Sequence, residues 1–427
     1  MQQSFYVVTG ILAIASFALA GENATERLDI NEPTVPAAST DLWTGEGVSL
    51  GGILFPHVHL NSAFGTSTSD DIVDQVAIGH HDPNREGFTM QNLELGTSLR
   101  LGEYLEGFAT YAAVVDLDDE WSGGWEEAFL KVKSLPGGFE LRGGRYFNRF
   151  GFYNAVHPHG YFFVDKDLLE GRILGEDSLA TEGGEITWRL PTPFTSALSY
   201  SFGTAVVEGH GDEHEKEEEP PFEAEGAAFS NDLHNLHWLA KWDYNDFHQF
   251  SGHLSAAWGD NAFARDTSAY TVGVEYLWRE NGYEPGGRHL RWRTAAMMRD
   301  INAISGHLPG EEEEEEELHE EEDEHHEEDE HEEEEARSAS LSEWGLSSSL
   351  HYGWNDSLET GLGVAWVEGI APAGLDERLR LSPVMTFRPT RNTNLKLQYN
   401  FDRLSGNQDE HSVWLGFGFN WGGGEVR

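Results

Sequence analysis

Histidine and carboxylate side chains come together in three places along this 427-residue chain. Glu311 to Glu335 is an unbroken run of 25 residues with 20 acids, one leucine and four histidines: His319, His325, His326 and His331. A smaller run from Glu208 to Glu219, EGHGDEHEKEEE, carries His210 and His214. The third place is His157-Pro158-His159, with Asp165 and Asp167 a few residues further on. Imidazole interleaved with carboxylate is the ligand mix that suits Zn²⁺, with Cu²⁺ and Ni²⁺ next. Carboxylates alone would indicate Ca²⁺ or Mg²⁺. The chemistry expected is capture of a divalent metal ion, zinc first, by many weak ligands that raise its local concentration. The blander reading of the two runs is like charge that repels itself and stays solvated. For His157 and His159 it is ordinary packing and hydrogen bonding within a loop.

Something must hold these residues, and the rest of the chain says what. Apolar residues recur at every second position from about Gly51 onward, between turns rich in Gly, Asn, Asp and Pro. Leu93, Leu95, Leu99 and Leu101 alternate with Glu94, Gly96, Ser98 and Arg100. Leu236, Trp238, Ala240 and Trp242 oppose His237, Lys241 and Asp243, and Leu290, Trp292, Ala296 and Met298 oppose Arg291, Arg293 and Arg299. The last such segment sets Val413, Leu415, Phe417, Phe419 and Trp421 against Gly416, Gly418 and Asn420. An apolar outer face, a polar inner face and aromatics toward the strand ends make the pattern of a transmembrane antiparallel β-barrel. About 16 strands are expected, within 14–18, enough for an aqueous lumen. The acidic runs then fall in long extracellular loops.

Composition narrows the class. Lys and Arg number 27 against 76 Asp and Glu, a formal charge of −49, which argues against nucleic acid as a partner. There is no cysteine, so disulfides, Cys-ligated metal and thiol catalysis are excluded. HExxH, the nucleophile elbow and a phosphate-cradling glycine loop are missing, and no enzyme is expected. Phe5 to Leu19 is almost wholly apolar and ends in Ala18-Leu19-Ala20, a signal-peptidase pattern. The expected organisation is a signal peptide over 1–20, a flexible arm over 21–48, the barrel over 49–421 and a tail over 422–427. The expected location is the outer membrane of a Gram-negative bacterium, in contact with its lipid.

The segment from Gly143 to Pro193 breaks the alternation. It reads GRYFNRFG, then HPHGYFFVD, then LLEGRILGEDSL and GGEITWRLPTP. Residues 147–182 are a candidate constriction loop folded into the lumen, with Arg145, Arg149 and Arg172 paired to acids. These motifs resemble outer-membrane porin-like proteins associated with zinc uptake, with a looser likeness to phosphate-selective porins. The resemblance implies passage of Zn²⁺ as cargo, with no resident cofactor. It carries a metal-binding role to His157, His159 and Asp165. The expected function is a channel for divalent metal, most of all zinc. The alternatives are a general or sugar-type porin with incidental charged loops, and a barrel-anchored surface metal-binding protein. Pores of this size are commonly homotrimers, although no interface is legible here.

Overall fold

A computed structural model of the chain describes residues 48–422 except 70–71, 73–75, 116–120, 177, 207–228, 262–264, 285, 305–337, 371–374 and 406–407. The expected signal peptide, nearly all of the arm and the tail lie outside the described residues. So do His210, His214, His319, His325, His326 and His331.

Sixteen antiparallel strands pair in chain order and close into one barrel, with β1 (Leu54–Ser67) against β16 (Gln408–Trp421). The seam is regular, from Val58 opposite Trp421 to Ser67 opposite Ser412. Closure satisfies the backbone of every strand without an open edge, which a bilayer requires. The period of two explains the two faces. Leu95, Leu130, Val274, Leu346, Leu362 and Leu397 point outward and are exposed, whereas Glu94, Ser98, His253, Ser349 and Asn400 are buried inside. Exposed Tyr244, Phe247, Tyr283 and Trp354 ring one end, and Trp121, Trp125, Trp258 and Trp344 lie toward the other, as interfacial belts. Leu397 lies near the middle of β15 (Thr393–Leu404). Leu397→Arg therefore puts a guanidinium near the bilayer centre, at a cost of about 2–4 kcal/mol. Denaturant unfolding of the lipid-embedded barrel measures that loss.

The two rims differ. At one, no connection exceeds 280–288; at the other lie the connections 68–86, 148–179, 206–228 and 305–337. Long connections mark the extracellular rim. The segments bearing both acidic runs therefore leave the barrel there, after β7 (Thr195–Ala205) and β11 (His289–Ile304).

Residues 148–179, between β5 (Phe139–Phe147) and β6 (Ala180–Arg189), fold into the barrel. They contain a 3-10 turn at Pro158–Gly160 and a short helix, α1 (Leu168–Leu174). The Asp167 carboxylate caps α1, accepting from the Leu169 and Glu170 backbone N–H at 3.1 and 3.3 Å. Phe150, Leu168, Leu169 and Ile173 pack on Leu233, Ala257, Ala269, Ala295, Met297 and Val367 of the inner wall. Small wall residues make room for them. A Cβ on Gly345 would stand 2.6 Å from both Leu169 Cδ1 and the Trp366 backbone carbonyl, so that position accepts no side chain without moving the loop and the wall.

Candidate functional site

Two of the loop's fastenings to the wall differ in chemistry. The first is built around His157 and His159. The His159 Nδ1 lies 2.9 Å from Glu94 Oε2 on β2 (Gly87–Leu101). The His157 Nε2 lies 2.9 Å from Glu127 Oε2, and its Nδ1 lies 2.9 Å from Glu126 Oε2 and 3.6 Å from Glu94 Oε2. The ring of His59, on β1, stacks on that of His159 with centroids 3.7 Å apart. From the 68–86 connection, His81 Nε2 reaches Glu126 Oε1 at 3.1 Å.

A local irregularity makes this possible. Glu126 and Glu127 are consecutive on β4 (Trp121–Leu135), so a regular strand would point one of them at lipid. Opposite them on β3 (Leu105–Val115), Thr110 pairs with Glu127 while Tyr111 pairs with Trp125. Glu126 is the extra residue of a β-bulge, and both carboxylates are buried inward. A second bulge on β2 skips Gln91, between Ser62 opposite Met90 and Asn61 opposite Asn92. The Gln91 amide donates from that bulge to the Val164 carbonyl at 2.8 Å and the His81 carbonyl at 2.9 Å.

Two overlapping ligand sets result, His59–Glu94–His159 and Glu94–Glu126–His157, each with its donor atoms within 4.8 Å of one another. Ligands on a tetrahedral ion at 2.0–2.1 Å sit about 3.3 Å apart, so modest side-chain rotation would close either set on a metal. The charges fit as well. Glu94, Glu126 and Glu127 lie in one buried spot, and a dication or protonated imidazoles must offset them. Burial alone would depress the pKa of His81, but the hydrogen bond and charge of Glu126 raise it above its ordinary value. A cavity of about 30 Å³ beside His81, Glu126, Arg145 and His157 leaves room for a water molecule.

The second fastening holds Asp165, and its partners differ from those expected. Its carboxylate accepts from Arg380 Nη1 at 3.0 Å, Gln398 Nε2 at 2.6 Å and Asn400 Nδ2 at 2.7 Å, on β14 (Arg378–Thr390) and β15. The ligand sets around His157 and His159 do not include it. Asp165 faces a guanidinium and two amide donors, partners that anchor a carboxylate and leave it no place beside the histidines. Arg378 and Arg380 share Asp402 at 2.8 and 2.7 Å and donate to the Val76 carbonyl, so they are buried structural pairs and do not line open lumen. Arg145, Arg149 and Arg172 approach Glu182, Glu185 and Glu343 at 3.9, 3.8 and 2.8 Å.

The chain combines a closed barrel of sixteen strands, a lipid-facing apolar surface, one rim of long connections and a loop folded inside. The fold is that of an outer-membrane porin. No family model matches the chain. An uncharacterized protein of Aquifex aeolicus (strain VF5) is 30% identical over 149 residues, covering 35% of this chain. The match spans only 28% of that relative's length. Among solved structures, a loop L8 deletion mutant of OmpT, an outer membrane protein of Vibrio cholerae, is similar with TM-score 0.49 and 8% identity. That likeness covers 86% of this chain and 99% of the other. An anion-selective porin from Comamonas acidovorans gives 0.49 at 10% identity, over 86% of this chain and 99% of that one. OmpF of Salmonella typhi gives 0.48 at 13%, over 86% and 97%. The assignment of fold rests on the strand pairing and the two faces of the wall.

Proposed function

We propose that this porin-type barrel is a channel for divalent metal ions, zinc foremost, with His59, Glu94, Glu126, His157 and His159 as its selecting site. The observation that carries the reading is the position of Glu94, whose carboxylate belongs to both ligand sets where the inner loop meets the wall. Imidazole with carboxylate favours zinc over the hard cations. The acidic histidine runs at 208–219 and 311–335 belong to the same reading. At the extracellular rim they would concentrate the ion before it enters.

The test is zinc entry into proteoliposomes loaded with a zinc-sensitive dye, beside zinc titration of the folded barrel. His157→Ala and His159→Ala together should weaken binding by about 100-fold, since even outer-shell partners are worth 10–100-fold. Zinc entry should fall with binding, while swelling in a neutral sugar stays the same. Zinc entry unchanged by the double substitution would sink the proposal and favour a general porin.

A further inference from the structure

The histidine end of the inner loop carries two ligand sets with one residue common to both. Among the described residues, no set of three or more donor atoms within 4.8 Å of one another combines His59 or His159 with Glu126 or His157. The rings of His157 and His159 stand 5.9 Å apart between centroids. Donor atoms on one tetrahedral ion lie about 3.3 Å from each other, so one ion closes one set and leaves the other. Glu94 Oε2 stands between the sets, 2.9 Å from His159 Nδ1 and 3.6 Å from His157 Nδ1.

The far end of the ligands is held on both sides of Glu94. His157 Nε2 donates to Glu127 Oε2 at 2.9 Å, which turns Nδ1 toward Glu94 and Glu126. His59 Nδ1 donates to Asn420 Oδ1 on β16 at 3.0 Å, so its ligand atom is Nε2. The Asn92 amide donates to Glu94 Oε1 and accepts in turn from Asn61 Nδ2 at 2.7 Å. Partners of this kind fix the tautomer and orientation of metal-ligating side chains. Charge agrees. Glu94, Glu126 and Glu127 are buried together, and with neutral imidazoles one dication leaves them net negative. Two dications leave a single positive charge, which one metal-bound hydroxide cancels. The space of about 30 Å³ beside Glu126 and His157 has room for that oxygen.

We infer that the histidine end holds two divalent ions at once, bridged by the Glu94 carboxylate, and that the second ion to arrive loosens the first. This two-ion site rests on the metal-channel reading and adds to it how a bound ion is released. Ions in paired metal sites sit about 3.5–4 Å apart, where like charges repel and each takes only part of the shared carboxylate. A lone zinc ion in a buried site of imidazole and carboxylate would leave too slowly for a channel. Conduction needs sites that capture an ion yet let it go, and repulsion between neighbouring ions supplies the release. Each ion enters by displacing the proton that Nδ1 of His159 or His157 shares with a carboxylate, at 2.9 Å in both. One set is built from β1, β2 and the loop, the other from β2, β4 and the loop. Glu94 is thus the one side chain that an ion passing between them keeps.

Electron paramagnetic resonance of the full-length folded barrel, titrated with Cu²⁺, tests this, since copper takes the same imidazole and carboxylate ligands. Two Cu²⁺ ions bridged by one carboxylate couple magnetically and give a half-field transition that an isolated ion does not show. The half-field signal should grow in with a second ion bound about fivefold or more weakly than the first, the low end of usual coupling between sites. His59→Phe keeps a ring against His159 but has no nitrogen for a metal, and Glu126→Gln removes a ligand of the other set. Each variant should keep one ion and lose the half-field signal. No such signal in the parent at saturation, or its persistence in either variant, overturns the inference. His157→Ala with His159→Ala decides the metal reading separately. Copper binding equal to the parent's sinks that reading as well, whereas one uncoupled ion in the parent, lost in the double variant, leaves it standing and removes only the second ion.

Discussion

Replacing Arg380 by methionine should free the inner loop at its Asp165 end and cost about 3–5 kcal/mol, the usual penalty for removing one partner of a buried ion pair. Arg380 donates to Asp402, to Asp165 and to the Val76 carbonyl at 2.7, 3.0 and 2.6 Å, and all three side chains are almost wholly buried. Methionine fills much of the same volume but leaves two carboxylates facing each other with less positive charge. Arg378 still neutralises Asp402, so Asp165 bears the loss and the loop is the element that moves. The expected readout is a larger single-channel conductance together with protease cleavage within 160–167. Asp165→Asn with Arg380→Met should recover part of the stability, because the uncompensated charge is then gone. Conductance and cleavage identical to the parent would show that the loop is held by its other contacts, among them Lys396 donating to the Tyr161 and Phe163 carbonyls and Arg172 to Glu343.

The second large effect is one of pH. Burial, and then the charge of Asp167, pushes the Glu170 carboxyl on α1 from an ordinary 4.5 up to about 8. Burial likewise raises Asp167 to about 6; it raises Asp82 to about 6, with help from the charge of Asp165. A carboxyl with a raised pKa in the folded state stabilises that state fully below its unfolded pKa. The contribution is lost as pH rises through the folded value. All three groups act in this direction, so loop packing should weaken as pH climbs above the ordinary carboxylate range, most steeply below about pH 6 where all three contribute, with the loss complete just above about pH 8. For Glu170 the rise from 4.5 to about 8 amounts to roughly 5 kcal/mol. Glu170→Gln keeps an oxygen for the Tyr153 backbone N–H, which donates to Glu170 Oε1 at 3.0 Å, and cannot ionise. A spin label on the loop should become mobile above pH 8 in the parent and stay ordered to higher pH in Glu170→Gln. Superimposable pH profiles for the two proteins would remove Glu170 as the cause.

The wall was legible because lipid and water impose opposite demands on alternate residues. Leu93, Leu95 and Leu99 against Glu94 and Ser98 can be read by period alone, and sixteen such strands close. The loop was legible as a break in that period, and His157 and His159 as close neighbours within it. Their partners were not, since Glu94, Glu126, Glu127 and His59 lie on three other strands and are joined to the histidines only by closure. One signal pointed to them. Glu126-Glu127 sets two acids side by side in a strand, which only a bulge can accommodate inside a membrane barrel. A second signal marked where the loop docks. Leu233, Ala257, Ala269, Ala295 and Val367 are apolar on the face that should be polar, and all pack on it. The partners of Asp165 were not legible, because acidic character says nothing about whether an arginine or a metal will face it.

The two fastenings of the inner loop also set an order of assembly. Its residues bond to β1, β2 and β4 at the histidine end and to β14 and β15 at the Asp165 end. Those two groups of strands, drawn from opposite ends of the chain, become neighbours only when β1 meets β16. Until that seam forms, Asp165 and His157 cannot both have their partners, and the loop stays hydrated in a half-built wall. Contacts of such long sequence separation form late. A seam slipped by two residues would preserve every inward and outward face yet displace Arg380, Gln398 and Asn400 from the Asp165 carboxylate they must reach. The loop therefore acts as a register gauge that seats only in a correctly closed barrel.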